Sequence, residues 1–304
     1  VDTLKEQFVI ISLILISVSS ILAYVFSKYF TKPILEINNA AKTMAEGNLS
    51  IKVPVNSVDE LGILAGTINH LSSQLQKIEQ LRKELIANVS HEFKTPLSLI
   101  KGYAETIRDV ESLSEQKRNK QLNIIIEESD KLNDMINEIL DLSQIQSEYY
   151  KLNKTDFRIS ETIKTVVNRL NYHSENKNLR IVLDYNDDLW ANADERRIEQ
   201  VLYNLINNAI NYSEQNHSIF IRANYHNGGI VVEIEDQGKG IPPEEIPYIW
   251  DRFYKSKDTS ANHKGSGLGL AIVKGIMDTH KSNFGVESEI GKGSKFWFEI
   301  AKGA

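Results

Sequence analysis

The sequence contains no cysteine among its 304 residues, and this absence excludes several kinds of site. Disulfide frameworks, cysteine-ligated zinc, iron–sulfur clusters and thiol nucleophiles all need the missing side chain. An excess of basic charge is also missing, because 35 Lys and Arg stand against 41 Asp and Glu, for a net charge of −6. Surfaces that bind nucleic acid usually carry such an excess, so we expect no nucleic-acid partner.

Length and composition indicate a multidomain globular chain. At roughly 150 residues per domain, the chain is too long for one ordinary domain. Charged residues make up 25% and hydrophobic residues 41%, which argues against a wholly disordered or collagen-like protein. Because the chain begins with Val1 rather than Met, we expect a further N-terminal segment in the natural protein.

One uncharged run, Phe8 to Phe26, lies near the N-terminus. Its length is just sufficient for a helix to cross roughly 30 Å of hydrocarbon. The alternatives are a core helix, which is rarely apolar all round, and a signal peptide, which needs a basic start and a small-residue cleavage site. We predict an extracytoplasmic flank over 1–7 and a transmembrane helix over 8–27, in contact with lipid of the cell membrane. Lys28 and Lys32 then place the C-terminal bulk in the cytoplasm.

Residues 28–80 follow the order helix, connector, helix. The first helix carries an apolar stripe at Ile34, Ile37, Ala41 and Met44. The second carries a heptad seam at Leu61, Leu64, Ile68, Leu71, Leu75 and Ile78. A lone helix cannot bury this seam, which predicts a parallel partner helix. Pro33 and the run Asp59-Glu60-Leu61-Gly62 resemble a HAMP relay domain, which implies a coiled coil here.

Residues 81–150 contain two long helices with one apolar stripe each. The stripes are Leu85, Val89, Phe93, Leu97 and Ile100, and then Leu122, Ile125, Leu132, Ile136 and Ile139. A polar stretch around Ser112–Asn119 supplies the predicted turn. Two such helices make half of a four-helix bundle, so we predict an antiparallel helical hairpin that forms a dimeric four-helix bundle in a homodimer.

Residues 151–304 alternate between strands and helices. The predicted strands are 180–185, 218–225, 229–236, 283–289 and 294–300. The predicted helices are Glu195–Tyr212, Pro243–Phe253 and Leu268–His280. This texture predicts one α+β sandwich domain with a mixed sheet.

The segment Ser90–Pro96, SHEFKTP, carries a candidate reactive histidine. His91 followed by Glu92 invites a H-E-x-x-H zinc site, but Thr95 stands where the second imidazole is needed. Pro96 removes a backbone hydrogen bond and bends the helix beside His91. An exposed imidazole is a competent nucleophile at neutral pH, and Glu92 can hold the opposite ring nitrogen and accept its proton. A plain surface histidine is the alternative.

Two polar patches predict a ligand pocket. Asn204 and Asn208 lie at i and i+4 on one helix face, and carboxamide oxygens suit Mg²⁺ in the presence of phosphates. Asp236 follows a strand, where it can accept a hydrogen bond from an exocyclic amine. Gly238 and Gly240 then let the backbone approach a base.

Two glycine clusters come later in the chain. The run Gly265–Leu270, GSGLGL, opens a helix whose free N–H groups can hold phosphate. The run Gly291–Ser294 predicts a turn that is mostly structural. No run matches the Walker pattern G-x-x-x-x-G-K-[ST] or the Rossmann pattern G-x-G-x-x-G.

Taken in order, these blocks resemble the bacterial sensor histidine kinases of two-component systems, from about Lys28 to the C-terminus. The resemblance implies a C-terminal domain that binds ATP and Mg²⁺, and autophosphorylation of His91. It also implies transfer of the phosphoryl group to an aspartate of a cytoplasmic response regulator, with phosphatase activity towards that regulator.

The resemblance also implies a role for each matching residue. His91 would be the phosphoacceptor, Glu92 its acid/base partner, and Thr95 would orient water during dephosphorylation. Asn208 would bind Mg²⁺ and Asp236 the adenine amine, and Phe253 and Tyr254 would anchor a nucleotide lid over Ser256–Lys264. The implied nucleotide-contacting positions are Asn204, Asn208, Asn211, Tyr212, Asp236, Gly238, Gly240, Ile241, Phe253, Tyr254, Lys255, Gly265, Gly267, Leu268, Gly269 and Leu270.

Two positions depart from the family pattern. The family usually has Lys or Arg where Asn211 stands, and often Arg where Lys255 stands. Both changes reduce the donors near the phosphates, because Lys cannot reproduce a bidentate guanidinium. We expect a modest nucleotide affinity or rate and no loss of activity.

Two other functions compete with a kinase. Gyrase-type and MutL-type ATPases carry a general-base Glu four residues before the Mg²⁺-binding Asn, and Asn204 stands there in this chain. An amide cannot take the proton from water, so we expect slow hydrolysis. The second alternative is a dimeric scaffold that binds nucleotide without catalysis. The presence of His91, Asn208 and Asp236 argues against it.

Overall fold

The computed structural model describes residues 2–54, 58–110, 114–145, 151–226, 228–256 and 266–303, in two compact units, 1–89 and 90–304. Its helices are α1 (Asp2–Phe26), α2 (Lys32–Ala45), α3 (Glu60–Asp109), α4 (Glu115–Ile145), α5 (Ile159–Asn176), α6 (Glu195–Tyr212) and α7 (Gly269–His280). Its strands are β1 (Thr155–Arg158), β2 (Arg180–Tyr185), β3 (Trp190–Ala193), β4 (Ser218–His226), β5 (Gly229–Glu235), β6 (Phe284–Glu289) and β7 (Gly293–Lys302).

Helix α1 continues through a π-helical turn, Ser27–Thr31, into α2. Within the described residues, one helix, Gln7–Ala45, is long and apolar enough to cross a membrane, with a mean hydropathy of 2.6 in its most apolar stretch. The hydroxyls of Ser17 and Ser20 donate to carbonyl oxygens four residues earlier, each at 2.8 Å. The helix therefore satisfies these polar groups internally, as hydrocarbon requires.

The connector after α2 is fixed to the first part of α3. The Asn69 side chain accepts a hydrogen bond from the Val53 N–H and donates one to the Val53 carbonyl, both at 2.8 Å. Ile37, Ala40 and Val53 pack with Ala65 in a small buried cluster. The predicted order of helix, connector and helix is thus present in this unit.

Helices α3 and α4 form the long helical hairpin. Helix α3 continues without interruption past Pro96 to Asp109. The predicted turn over Ser112–Asn119 is wrong at its C-terminal end, because α4 already begins at Glu115. Strong helix formers such as Glu115, Gln116 and Lys117 outweigh the polar composition there. Residues 111–113 lie outside the described part of the chain.

The C-terminal domain is built on a mixed sheet, as predicted, and this sheet has seven strands. The strand order is β1-β3-β7-β5-β4-β2, and β6 pairs with β7. Strand β2 is parallel to β4, and every other pair is antiparallel. Helix α6 packs against α5 on one side and α7 on the other. Strands β1 and β3 and helix α5 are elements that the sequence analysis missed.

The predicted helix Pro243–Phe253 is wrong. The segment forms successive turns, in which the Glu245 N–H bonds the Pro242 carbonyl and the Tyr248 N–H bonds the Glu245 carbonyl, both at 2.9 Å. Pro247 has no N–H to donate to a helical ladder, and its ring crowds the preceding turn. The segment therefore forms turns instead of a helix, and these turns lie at the edge of a pocket.

Both ends of α6 are held by side chains. At its start, the Asp194 carboxylate accepts from the Arg197 N–H at 3.3 Å. At its end, the Lys177 ammonium donates to the carbonyls of Ile210, Asn211 and Ser213 at 2.8, 2.9 and 3.3 Å. These bonds satisfy carbonyls that the helix leaves open, and they fix the last turn of α6.

Candidate functional site

A pocket opens between α6, α7, the ends of β5 and β7, and the successive turns that follow Pro242. Its volume is about 660 Å³, including the open mouth. The lining residues are Asn208, Tyr212, Asp236, Lys239, Gly240, Ile241, Pro242, Glu245, Ile249, Tyr254, Ser256, Leu270, Ser294 and Phe296. An apolar wall with few polar groups is typical of sites for small molecules and cofactors.

Asp236 is the buried acid of this pocket. Its Oδ1 accepts hydrogen bonds from the N–H of Gly238 at 2.8 Å and of Ser294 at 3.3 Å. Burial raises the pKa of Asp236 to about 6, although both N–H groups act in the opposite direction. Within the described residues, Oδ2 receives no hydrogen bond. A carboxylate oxygen in a pocket that receives no protein hydrogen bond is a recognition group for a ligand N–H.

Two glycines permit this arrangement through backbone contacts. Gly240 has φ of +73°, and a Cβ there would lie 2.1 Å from the Glu289 carbonyl oxygen. Gly293 has φ of +110°, and its Cβ would lie 2.0 Å from the carbonyl oxygen of Asp236. The turn at Gly291–Ser294 is therefore more than a structural turn, because it packs on Asp236 and supplies Ser294 to the pocket.

The asparagines of α6 separate into different environments. Asn208 lines the pocket, together with Tyr212 one turn later. Asn204 is buried, and its Oδ1 lies 3.2 Å from where a Cβ on Gly269 would be. Asn204 therefore packs against the first residue of α7. The carbonyl of Asn211 accepts from Lys177, so this residue's backbone belongs to the helix end.

The segment around Phe253 and the start of α7 interlock. The Phe253 N–H donates to the Gly267 carbonyl at 2.8 Å, and Phe253 has a left-handed φ of +60°. Its ring packs against the core, whereas the next residue, Tyr254, lines the pocket. Leu268 is fully buried, and its N–H bonds the Ser266 hydroxyl at 3.1 Å. These residues shape the pocket wall from behind.

The predicted nucleotide contacts thus divide into three groups. Those that line the pocket are Asn208, Tyr212, Asp236, Gly240, Ile241, Tyr254 and Leu270. Those that are described but support it without lining it are Asn204, Asn211, Gly238, Phe253, Lys255, Gly267, Leu268 and Gly269. Gly265 and the predicted lid from residue 257 lie outside the described residues.

Several lining residues were missed by the sequence analysis. They are Lys239, Pro242, Glu245, Ile249, Ser256, Ser294 and Phe296. Ser294 and Phe296 had a signal, because the alternation along β7 points every second side chain to the same face. Lys239 lies between the two glycines already singled out, in a loop after β5, and binding residues are disproportionately found on such loops.

The candidate histidine lies on α3. His91 and Thr95 are exposed and lie one helical turn apart on the same face. Glu92 is partly buried, and both of its carboxylate oxygens accept from the Lys255 ammonium at 2.8 Å. Lys255 is flanked by two lining residues, Tyr254 and Ser256. The pocket mouth and the histidine-bearing helix therefore meet at this ion pair.

Three domain families match the chain. HAMP domain matches residues 25–77, and His Kinase A (phospho-acceptor) domain matches 81–148. Histidine kinase-, DNA gyrase B-, and HSP90-like ATPase matches 193–304. The fold and the pocket therefore define an ATPase-type lobe that follows a phosphoacceptor hairpin and a relay domain.

Individual proteins with this domain order are similar to the chain. Sensor histidine kinase YclK of Bacillus subtilis (strain 168) is 33% identical over 298 residues, which cover 95% of this chain and 62% of YclK. The chain thus spans less than two thirds of that relative. The structure of histidine kinase ThkA in complex with response regulator protein TrrA has a TM-score of 0.62 at 28% identity, covering 75% of this chain and 64% of ThkA.

A second solved structure is full-length ShkA in complex with AMPPNP. It has a TM-score of 0.55 at 26% identity, and the match covers 73% of this chain and 46% of ShkA. Together with the three domain matches, these similarities identify the class: the chain belongs to the sensor histidine kinases of two-component systems, and its lobe is an ATP-binding one.

Proposed function

We propose that this chain autophosphorylates His91 from Mg-ATP and passes the phosphoryl group to an aspartate of a response regulator. The observation that carries the proposal is the buried Asp236 carboxylate, whose Oδ2 is open to a donor in a pocket that faces the His91 helix. A pocket for ATP beside an exposed imidazole brings together the phosphoryl donor and the phosphoryl acceptor of the proposed reaction.

The pocket fits an adenine nucleotide in a defined orientation. Asp236 accepts from the exocyclic amine, and Ile241, Ile249 and Phe296 supply apolar surface for the base. The phosphates then extend towards the N-terminal end of α7, whose N–H groups and dipole favour anions. This places Leu270 of the first turn of α7 along the nucleotide.

Asn208 is the residue that would hold Mg²⁺. Its carboxamide is one hard oxygen ligand in the pocket, and Mg²⁺ in such sites takes most other ligands from phosphates and water. When bound, the ion neutralises the phosphate charge that grows during transfer. A single carboxamide on α6 therefore fits an ion that is bound mainly by the nucleotide.

The reaction requires little covalent chemistry from the protein. A lone pair on a ring nitrogen of His91 forms the N–P bond, and the bond from the γ-phosphorus to its bridging oxygen breaks with its electron pair leaving on ADP. The ring proton passes to the Glu92 carboxylate. Positioning and charge neutralisation supply most of the barrier reduction.

Labelling with γ-³²P-ATP tests the proposal. We expect the purified full chain, in lipid nanodiscs with Mg²⁺, to acquire label that survives base and is lost in acid, as a phosphoramidate is. Release of free phosphate without labelled protein would instead support the ATPase alternative. Against that alternative, the base position is the amide Asn204, which packs on Gly269.

Adenosine binding is expected to weaken as the pH falls below about 6. Protonation of Asp236, whose pKa is raised to about 6, places a hydrogen on the oxygen that must accept from the amine. Well below that pH, affinity should fall about tenfold per pH unit. Adenosine is the probe because it has no phosphate that titrates, and its Kd is measured by NMR from pH 5 to 7.5.

The effect of pH on stability has the opposite sign and serves as the control. Because the pKa of Asp236 is above its unfolded value of 3.8, its contribution to the free energy of unfolding rises as the pH falls from about 6 to 3.8. Lost binding at pH 5.5 thus does not come from this group unfolding the lobe. A Kd that stays constant from pH 5 to 7 would contradict the assignment of Asp236.

Thr95→Ala is expected to abolish dephosphorylation of the regulator while self-labelling persists. Thr95 lies one turn after His91 on the same exposed face, where its hydroxyl can orient a water on a docked acyl phosphate. The similarity to ThkA, solved with response regulator protein TrrA, supports such docking. The measurement is phosphate release from a labelled receiver domain, with Thr95→Ser as the matched variant that retains the hydroxyl. Unchanged release in Thr95→Ala would contradict this role.

A membrane-anchored homodimer completes the proposal. The exposed apolar side chains of the hairpin include Leu97, Leu122, Ile126, Ile136 and Leu140. A second hairpin would bury them in a four-helix bundle. Helix Gln7–Ala45 supplies the membrane anchor, with the later domains in the cytoplasm. Parallel HAMP helices would transmit a conformational change from the membrane helix to the four-helix bundle.

A further inference from the structure

We propose that phosphoryl transfer occurs within one chain, so that each ATP-binding lobe serves the His91 of its own hairpin. This inference rests on the proposed function and specifies which chain's histidine receives the phosphoryl group. Three sets of contacts, all inside the unit 90–304, dock the lobe on the chain's own helices. They lie at successive heights along the hairpin, from its connection with the lobe to the position of His91.

The first contact joins the mouth of the pocket to the reacting helix. Lys255 donates to both oxygens of Glu92 at 2.8 Å, and Glu92 is the immediate neighbour of His91. Lys255 in turn lies between Tyr254 and Ser256, which line the pocket. A nucleotide in that pocket therefore already faces the His91 helix of its own chain, and transfer to another chain would require this pair to separate.

The second contact joins α4 to the opening of α7. The Ser266 hydroxyl donates to the Glu138 carboxylate and accepts from the Leu268 N–H. Burial raises the pKa of Glu138 at this contact, although the hydrogen bond from Ser266 acts in the opposite direction. The Ser266 hydroxyl thus fixes the residues just before α7 and attaches them to α4 of the same chain.

The third contact lies near the connection between hairpin and lobe. The buried Arg197 guanidinium pairs with Asp141 at 2.9 Å, and Gln200 donates to the other oxygen of Asp141 at 2.8 Å. A Cβ built on Gly275 would lie 3.0 Å from Cγ2 of Ile145 and 4.0 Å from its Cβ. Only a residue without a side chain allows α7 to approach α4 this closely.

Mixed dimers provide the decisive test. Full-length chains with two affinity tags are co-expressed, one carrying His91→Gln and the other Asp236→Asn, and doubly tagged dimers are labelled with γ-³²P-ATP. Transfer within a chain predicts no label, because the chain that binds ATP lacks the acceptor. Label on the Asp236→Asn chain would overturn the inference.

The controls separate this inference from the proposed function. Dimers of a wild-type chain with a His91→Gln chain must label the wild-type chain at about half the wild-type homodimer level. Absence of label in the wild-type homodimer itself would contradict the proposed kinase, not the geometry. If the chain labels itself as a monomer, a rate that does not change on dilution supports transfer within the chain, and a rate that falls overturns it.

Cysteine pairs test the docking directly, in a chain without natural thiols. We expect Glu138→Cys with Ser266→Cys in one chain to be joined by a short bismaleimide within that chain, and a mixture of the two single variants to give no covalent dimer. Ile145→Cys with Gly275→Cys is the matched pair near the connection, where a Cβ separation of 4.0 Å fits a disulfide. Cross-links of the first pair between chains, or no disulfide in the second, would overturn the inference.

Discussion

His91→Gln is expected to remove the acid-labile label from this chain completely. Glutamine is close in size to histidine and remains polar, but its amide nitrogen has no lone pair free to attack phosphorus. Loss of a nucleophile typically lowers such a rate by at least about 1000-fold, so the label should fall to background. The measurement is base-stable protein label after incubation with γ-³²P-ATP.

The exposure of His91 keeps this result interpretable. The side chain is exposed on α3, so the substitution leaves no buried cavity and should change the free energy of unfolding by no more than about 0.5 kcal/mol. His173→Gln is the matched control, because His173 is an exposed histidine on α5. Equal label in His91→Gln and His173→Gln would place the phosphoacceptor elsewhere.

The sequence predicts the regular elements best where apolar spacing and caps agree. The predicted helix Glu195–Tyr212 coincides with α6, since Asp194 precedes it as a cap and its apolar residues repeat at helical spacing. Helix α5 was missed although Ile159, Ile163 and Val166 show the same spacing. Strands β1 and β3 have only four residues each, which is too few for alternation to stand out from a loop.

The site was predicted where a residue's own chemistry identifies it. Asp236 and Asn208 are polar side chains at the end of a strand and on a helix face, and both line the pocket. Ser294 and Phe296 reach the pocket through pairing between distant segments. Strand β7 aligns Phe296 with Ile234 and Lys295 with Glu235, which brings Ser294 to Asp236. The alternation along β7 places Ser294 and Phe296 on one face, but no local pattern identifies the distant strand with which β7 pairs.

Asp236→Asn is expected to weaken ATP binding by at least about 100-fold without unfolding the lobe. The oxygen of the introduced amide can still accept from the N–H groups of Gly238 and Ser294, so its nitrogen takes the position of the open oxygen. A donor then faces the adenine amine, which is also a donor. Loss of a charged hydrogen bond and an unpaired buried group amount to about 3 kcal/mol.

Two measurements distinguish lost recognition from a damaged pocket. The amide introduced by Asp236→Asn offers a donor to the O6 acceptor of hypoxanthine, so the ratio of ATP to ITP affinity should fall in this variant, whereas a collapsed pocket would lose both nucleotides alike. At pH 7.5 the melting temperature should be equal or higher, because the wild-type carboxylate, with its pKa raised by burial, is ionised there at a cost to stability. Asp184→Asn, at an exposed position on β2, is the matched control for the substitution itself. Wild-type ATP affinity in Asp236→Asn would show that this carboxylate does not recognise the base.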